Sequence, residues 1–534
     1  MRPTEKDHEL AIQAAWTASR RHFLTGSGAA VAAAFLAGVP GTARADVTAQ
    51  GRGREYPFTL GIASGDPWPD AVVLWTRIAP RPLEPHGGLE PRATHPVQWQ
   101  VATDEAFSNV VRRGTAFARP EYNHTVHVDV RGLQPGTTYY YRFRSGLHLS
   151  ETGRTSTTPA PGTPTKSLDL VVASCQSFSA GYYHAWTDAA EQPPDAVLFL
   201  GDYIYEYAVL PTSIRWPDLP ELPDDFSRNT DTLDRYRLQY SLYKTDPALI
   251  EAHRMAPWLV TWDDHEVYNN YAQSDPAYWT RMANGYRAFW ENLPLRPAQL
   301  AKGREAQMYR RFTYGDLAEF SLLDARQYRS VEIDGVLPDG GPRRDRDRTI
   351  LGAPQREWLL DGLGSSSTRW NVMAQGVLFG MLDTDPGPER AFANGAWDGY
   401  QADQQRVIDG VRDRQVDNFV VLTGDIHRNY DLNILADFDD PDSEIVGVEF
   451  AGTSITSGGD GEDTNDGLER RLAANPHLKL ANMQRGYLRC HLDHQAWRTD
   501  LRVIDTPVTT KGDYQASTRA SFVTEAGKPG LVDA

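Results

Sequence analysis

The chain has 534 residues, 71 acidic against 54 basic, and a formal charge of −17. At roughly 150 residues per domain that length supplies two to four structural units and a large core; with 40% hydrophobic and 23% charged residues the composition is that of a soluble globular protein rather than a disordered or fibrous one. The acidic excess disfavours nucleic acid as a partner, since phosphate-backbone affinity needs a basic surface, and two cysteines, Cys175 and Cys490, exclude a disulfide framework and a four-thiolate zinc site.

Residues 1–45 read as a leader rather than as fold. Ser19-Arg20-Arg21-His22-Phe23-Leu24 precedes a mildly apolar run from Ala29 to Val39, and Ala43-Arg44-Ala45 offers a small-x-small cleavage site. Paired arginines before such a run resemble a twin-arginine (Tat) signal, which implies export of the folded protein by the Tat machinery, cleavage near Ala45 and a secreted product. The run is too short for the roughly 20 residues that cross a bilayer, and no later segment reads as a transmembrane anchor. Removing this leader, with five basic and three acidic side chains, takes the charge to about −19.

From 56 to 158 the pattern is all-β, with short runs such as Ala71-Val72-Val73-Leu74-Trp75-Thr76 and Pro96-Val97-Gln98-Trp99-Gln100-Val101 between Pro, Gly and Asp turns. Leu133-Gln134-Pro135-Gly136 feeding Tyr139-Tyr140-Tyr141-Arg142-Phe143 resembles the end of a fibronectin type III domain, a β-sandwich. The Thr/Pro/Gly-rich stretch from Thr155 to Lys166 reads as a linker.

The second unit, 166–520, has another period. Continuous apolar runs of buried-strand length recur at 168–173, 196–200, 257–260, 319–323, 370–374, 419–422 and 446–450, with helix-length segments between them at 183–191, 233–253 and 278–291. Apolar strands alternating with helices predict an α/β core whose sheets are covered by helices.

The residues with chemistry lie just past the ends of those runs. Ser174-Cys175-Gln176 comes after the first, Gly201-Asp202-Tyr203-Ile204-Tyr205 after the second, Asp263-Asp264-His265-Glu266 after the third and Gly424-Asp425-Ile426-His427 after the sixth. Ligands of open α/β sheets bind beyond the carboxyl ends of strands, so these loops converge. Each residue has a plainer reading: Asp202 as a helix cap, Cys175 as a small buried hydrophobe, Tyr205 as a rim aromatic, His265 and His427 as core histidines. Four motifs together, none containing Lys or Arg, gather anions that would repel one another without cations, which predicts a metal site.

The ordered motifs Ser-Cys-Gln, Gly-Asp-Tyr-Ile-Tyr-Glu, Asp-Asp-His-Glu-Val, Leu-Asp-Ala-Arg-Gln-Tyr-Arg (323–329) and Gly-Thr-Ser-Ile-Thr-Ser (452–457) resemble the PhoD family of alkaline phosphatases and phosphodiesterases, a variant of the calcineurin and purple acid phosphatase group. The resemblance covers essentially the whole chain. It implies a metallophosphoesterase-type β-sandwich core flanked by helices, behind the small fibronectin III-like domain, and hydrolysis of phosphate mono- or diesters by hydroxide on an Fe3+/Ca2+ cluster. Carried onto this chain it gives Cys175, Asp202 and Tyr205 as iron ligands, with Asp202 bridging to the next ion. Asp264, Asp425 and His427 match the remaining metal positions, and Asn269 or Asn270 completes the calcium shell. A thiolate and a phenolate on one ion suit Fe3+, and an aspartate in place of a histidine at 425 suits Ca2+. Asp202, Asp264, His265, Asp425 and His427 are the candidate catalytic residues, His265 as an acid or as an outer orienter. Asp324, Arg326 and Arg329 read as structural ion pairs of the site wall. Two alternatives stand beside this reading: the family also includes phospholipase D enzymes that release a lipid head group, and the β-sandwich could instead make the chain a secreted binding protein with an inactive hydrolase domain.

Overall fold

A computed structural model describes residues 55–534 except Ser274, Asp385, Pro386 and Pro388. The expected leader and its cleavage point lie outside the described residues. Strand alternation explains the architecture. In Ser167–Ala173, Leu168, Leu170 and Val172 face one way and Val171 and Ala173 the other; in Trp370–Gln375 and Phe419–Thr423, Val372, Ala374, Val420 and Leu422 oppose Met373 and Val421. The first set of each packs together between two sheets, and the second set packs outward against the flanking helices. A strand buried on both faces must be apolar at every position, which is why these runs are continuous in the sequence.

One sheet has ten strands. Its centre is the parallel set Ser167–Ala173, Ala196–Phe199 and Trp258–Val260. The facing sheet has seven, with Ala318–Leu322, Trp370–Gln375, Phe419–Thr423 and Ile445–Ala451 parallel. The result is the helix-covered α/β core that the strand and helix alternation predicts, arranged as the two-sheet sandwich that the family resemblance implies. Single bridging residues Ser174 and Ser454 stitch the two sheets at the edge where the parallel strands end.

The N-terminal strands form a two-layered sandwich of their own. Val72, Leu74, Val126, Val128 and Val130 pack with Val97, Val101, Tyr139, Tyr141 and Phe143 from a five-stranded sheet. Its other layer, however, is continuous with the ten-stranded sheet: Ile62–Trp68 pairs in parallel with Trp258–Val260 through Gly65 and Trp258. Only glycine fits there, since a Cβ at 65 would lie 2.5 Å from the Trp258 carbonyl oxygen and 2.7 Å from Pro294 Cγ. Segments 56–158 and 166–520 thus share a sheet, and its far edge runs past 520 to Asp533.

The helical stretch expected at 233–253 is two helices, Leu233–Tyr243 and Pro247–Met255. The Asp246 carboxylate accepts from the N–H groups of Ala248 and Leu249 at 2.8 and 3.1 Å, and Pro247 occupies the first helical position, where its missing N–H is harmless.

Candidate metal centre and active site

The parallel strands of both sheets end at one edge, and the turns after Ser167–Ala173, Ala196–Phe199, Trp258–Val260 and Phe419–Thr423 carry the residues Cys175, Asp202, Asp264, His265, Asp425 and His427. Four of these residues hold the left-handed backbone that side chains other than glycine rarely adopt: Cys175 (φ 59°), Asp202 (56°), Asp425 (65°) and His427 (53°). Strain shared by four strand-end residues marks a site whose surroundings fix its geometry.

Donor atoms converge in three groups, each with its members within 4.8 Å of one another: Cys175, Asp202 and His427; Asp202, Asp264 and His265; and Asp202, Asp263, Asp264 and Asp425. Asp202 belongs to all three. The Tyr205 hydroxyl donates to Asp202 Oδ2 at 2.9 Å and lies 3.0 Å from His427 Nε2, so the phenol joins the first group. Asn270 donates its backbone N–H to Asp264 Oδ2 at 2.7 Å, whereas Asn269 donates its own to Glu206, on the other side of His265. Of the two asparagines, it is Asn270 that borders the acid cluster.

The electrostatics are those of a cation site. Burial raises Asp202 well above the carboxylate range, and Asp264, Asp263 and Glu266 add to the effect. Burial and the neighbouring Asp202 likewise push the Cys175 thiol and the Tyr205 phenol up. Burial and Arg485 depress His427 to about 4, leaving a neutral imidazole with a lone pair to give. Burial opposes charge on His265, but Asp264, Asp202 and Glu206 prevail and raise it to about 11. Asp264 is held below its usual range against burial, by Arg326 and then His265. Its Oδ1 is buried without a hydrogen-bond partner, the nearest cation being Arg326 Nη2 at 3.4 Å. A buried carboxylate oxygen left in this state costs about 1–3 kcal/mol or more, and a bound metal ion would satisfy it. The residues present therefore fit metal ions.

Arg326 corrects one expectation. Its motif reads as a structural ion pair of the site wall, and an ion pair it is, but within the acid cluster itself: fully buried, it pairs with both Asp263 oxygens (2.8 Å to Oδ2) and with Asp425 Oδ1 at 2.9 Å. The cluster, whose own four motifs contain no Lys or Arg, thus receives a basic partner from the facing sheet, on the loop after Ala318–Leu322. Asp324 accepts from the N–H groups of Arg326 and Gln327 and fixes that loop, while Arg329 pairs with Glu332 at 2.9 Å.

Three further residues shape the site, and their roles are not legible in the sequence. Glu266, fully buried, accepts backbone N–H groups from Asp202 (3.0 Å), Tyr203 (2.5 Å) and Asp263 (2.7 Å), tying two strand-end loops together. Glu206 accepts from His265 Nδ1 at 2.7 Å and from the Asn269 N–H at 3.0 Å. Arg485 donates to the carbonyls of His427 and Gly459, both at 2.7 Å, and to Ser454 Oγ at 3.1 Å. Glu206 and Glu266 sit inside the strand-end motifs, so their position beside the ligands is the available signal. Arg485 carries none.

The model of the PhoD-like phosphatase family matches residues 170–501, and that of the PhoD-like phosphatase N-terminal domain matches 42–159. Alkaline phosphatase D of Bacillus subtilis (strain 168) is 42% identical over 530 residues, covering 96% of this chain and 89% of that protein. A solved structure of PhoD superposes with a TM-score of 0.85 at 43% identity, covering 91% of this chain and 93% of that one. With family models matching residues 42–159 and 170–501 and the strand-end donors converging at one edge of the sheets, the chain belongs to the PhoD-like phosphatase family.

Proposed function

We propose that this chain hydrolyses phosphate mono- and diesters at a mixed-metal centre, with Fe3+ held by Cys175, Asp202 and Tyr205 with His427 beside them, and Ca2+ among Asp202, Asp264 and Asp425, Asn270 contributing at the rim. The observation that carries the reading is the sharing of Asp202 by all three donor groups beside the unsatisfied Asp264 oxygen. The ions would supply Lewis-acid charge to the phosphoryl oxygens and activate the attacking water.

The protein residues do the rest. Glu206 holds His265 through Nδ1, leaving Nε2 as the nitrogen available to protonate a leaving oxygen. Arg326 holds Asp263 and Asp425 in place and offsets part of their charge before cations bind. The convergence of every donor argues against an inactive hydrolase domain. Export by the twin-arginine route with cleavage near Ala45 completes the reading, since a route that carries folded protein permits metal insertion before export. Among the described residues no helix is long and apolar enough to cross a membrane.

Metal analysis and visible absorption of the purified protein test the assignment. Iron near one equivalent with a tyrosinate charge-transfer band, lost in Tyr205→Phe, is expected; a colourless, iron-free, active enzyme overturns the iron centre. Chelation should abolish activity and Ca2+ restore it. A panel of p-nitrophenyl phosphate, bis-p-nitrophenyl phosphate and phosphatidylcholine separates monoesterase, diesterase and phospholipase D activity.

A further inference from the structure

One large aromatic side chain stands exposed at the edge of the acid cluster without entering it. Tyr207 is 45% exposed. Its ring meets that of His265 edge-on with centroids 5.4 Å apart, and it lies 6.3 Å from the ring of Tyr205. His265 in turn packs on Tyr205 at 4.2 Å, so the rings of Tyr205, His265 and Tyr207 run in sequence from the metal-ligand group to solvent.

The backbone under Tyr207 is fixed. The Gln239 side-chain amide, from the helix Leu233–Tyr243, donates to the carbonyls of Tyr205 at 2.6 Å and Tyr207 at 3.2 Å. Arg235 holds the same Gln239 from the other end at 2.8 Å. Between the two tyrosines, Glu206 is fully buried and engaged with His265 and Asn269. The N–H of Ala208, the next residue, is held by Asn229 Oδ1 at 2.9 Å. The ring is therefore presented on a rigid segment.

A half-exposed aromatic face on a pinned backbone beside a phosphoryl site is a stacking platform. We propose that Tyr207 is a specificity-determining residue that packs against the leaving group of the ester and favours leaving groups with a flat or apolar face next to the scissile bond. Two sources offer such a face, an aromatic ring and the C–H face of a sugar. Small acyclic alcohols offer neither. The inference rests on the hydrolase reading above and adds which esters the site prefers.

The test compares Tyr207→Ala and Tyr207→Phe in the metal-loaded full chain on p-nitrophenyl phosphate, glucose 1-phosphate and glycerol 2-phosphate. Stacking on one ring is worth about 1–3 kcal/mol, which is about 5- to 150-fold in kcat/KM. The alanine variant should lose at least 5-fold on p-nitrophenyl phosphate, mainly in KM, while glycerol 2-phosphate changes less than 2-fold. The phenylalanine variant should match wild type on both. Loss on glucose 1-phosphate as well extends the platform to sugar faces; loss on the aryl ester alone restricts it to aromatic ones. Equal losses on aryl and glycerol esters, a fall confined to kcat, or a phenylalanine variant as poor as alanine overturns the proposal. Failure of wild type on every ester would instead remove the hydrolase reading on which it rests, so the two failures are distinct.

Discussion

Truncation of Glu266 tests whether the ligand geometry is set from beneath. Its carboxylate, fully buried, receives three backbone N–H groups: Oε2 serves Asp202 and Asp263, and Oε1 serves Tyr203. Glu266→Ala leaves three buried donors unpaired at about 1–3 kcal/mol each; because the effects are not additive and the loops relax, about 3–6 kcal/mol is expected in total. Unfolding residues 55–534 carries an entropy of about 1 kcal/mol per kelvin at 2.1 cal/mol/K per residue, so Tm should fall by about 3–6 K. Glu266→Gln keeps an oxygen for the two N–H groups that share Oε2 and turns an NH2 toward Tyr203, so one bond is lost and the fall should be about 1–3 K. Calorimetry gives both shifts, and metal content with kcat/KM on the same samples reports the site. Because Asp202 is common to every donor group, activity should fall at least 10-fold in the alanine variant, with loss of bound metal. An alanine variant within 1 K of wild type, or alanine and glutamine variants of equal stability, would refute the reasoning.

Three other changes probe separate parts of the molecule. Gly201 has φ +107°, and a Cβ there would lie 2.3 Å from Asp263 Cβ, so Gly201→Ala combines backbone strain with displacement of the Asp263 loop and should lower both Tm and metal retention; unchanged metal content would count against this packing. Arg326→Met breaks buried ion pairs worth about 3–5 kcal/mol when one partner is lost, and the Tm drop should be larger in chelated protein than in metal-loaded protein, where cations compensate. Equal drops would mean that Arg326 does not share the cluster's charge with bound ions. Asp431, fully buried in the seven-stranded sheet with neither carboxyl oxygen hydrogen-bonded, is raised by burial well above its unfolded value. Wild-type stability is then complete below the unfolded carboxyl pKa and falls as pH rises toward the folded one, so the advantage of Asp431→Leu should grow between pH 5 and pH 9 in thermal unfolding; a pH-independent difference would sink that assignment.

The sequence exposes some of this more readily than the rest, and the difference is physical. Central strands such as Phe419–Thr423 are buried on both faces and announce themselves as unbroken apolar runs. Ala496–Ile504 and Gly486–Asp493 have one face in the core and one toward solvent, so their alternation blends into ordinary surface sequence and they pass unread. Sharing of a sheet by the N-terminal strands depends on Gly65 meeting Trp258, a pairing across almost two hundred positions that no local pattern records. At the site, residue type and strand-end position are enough to single out Cys175, Asp202, Asp264, Asp425 and His427, whose donor atoms the structure brings close to Asp202. They do not separate Asn269 from Asn270, neighbours that face different partners.

The roles of Arg326 and Glu266 bear on the net charge of −17. A phosphate ester approaching this pocket meets Asp202, Asp263, Asp264 and Asp425 with one guanidinium among them, and that guanidinium is already occupied by Asp263 and Asp425. At 4 Å two unit charges in a partly buried site repel by about 4 kcal/mol, so each carboxylate that stays ionised and unpaired disfavours an anionic ester when no cation is bound. Arg326 holds the carboxylates of Asp263 and Asp425, and Glu266 fixes the backbone of Asp202 and Asp263, with no ion required; bound cations would reverse the sign of the site. Substrate affinity is in that case a property of metal occupancy rather than of the protein's surface field, and raising salt should weaken it far less than removing one ion does.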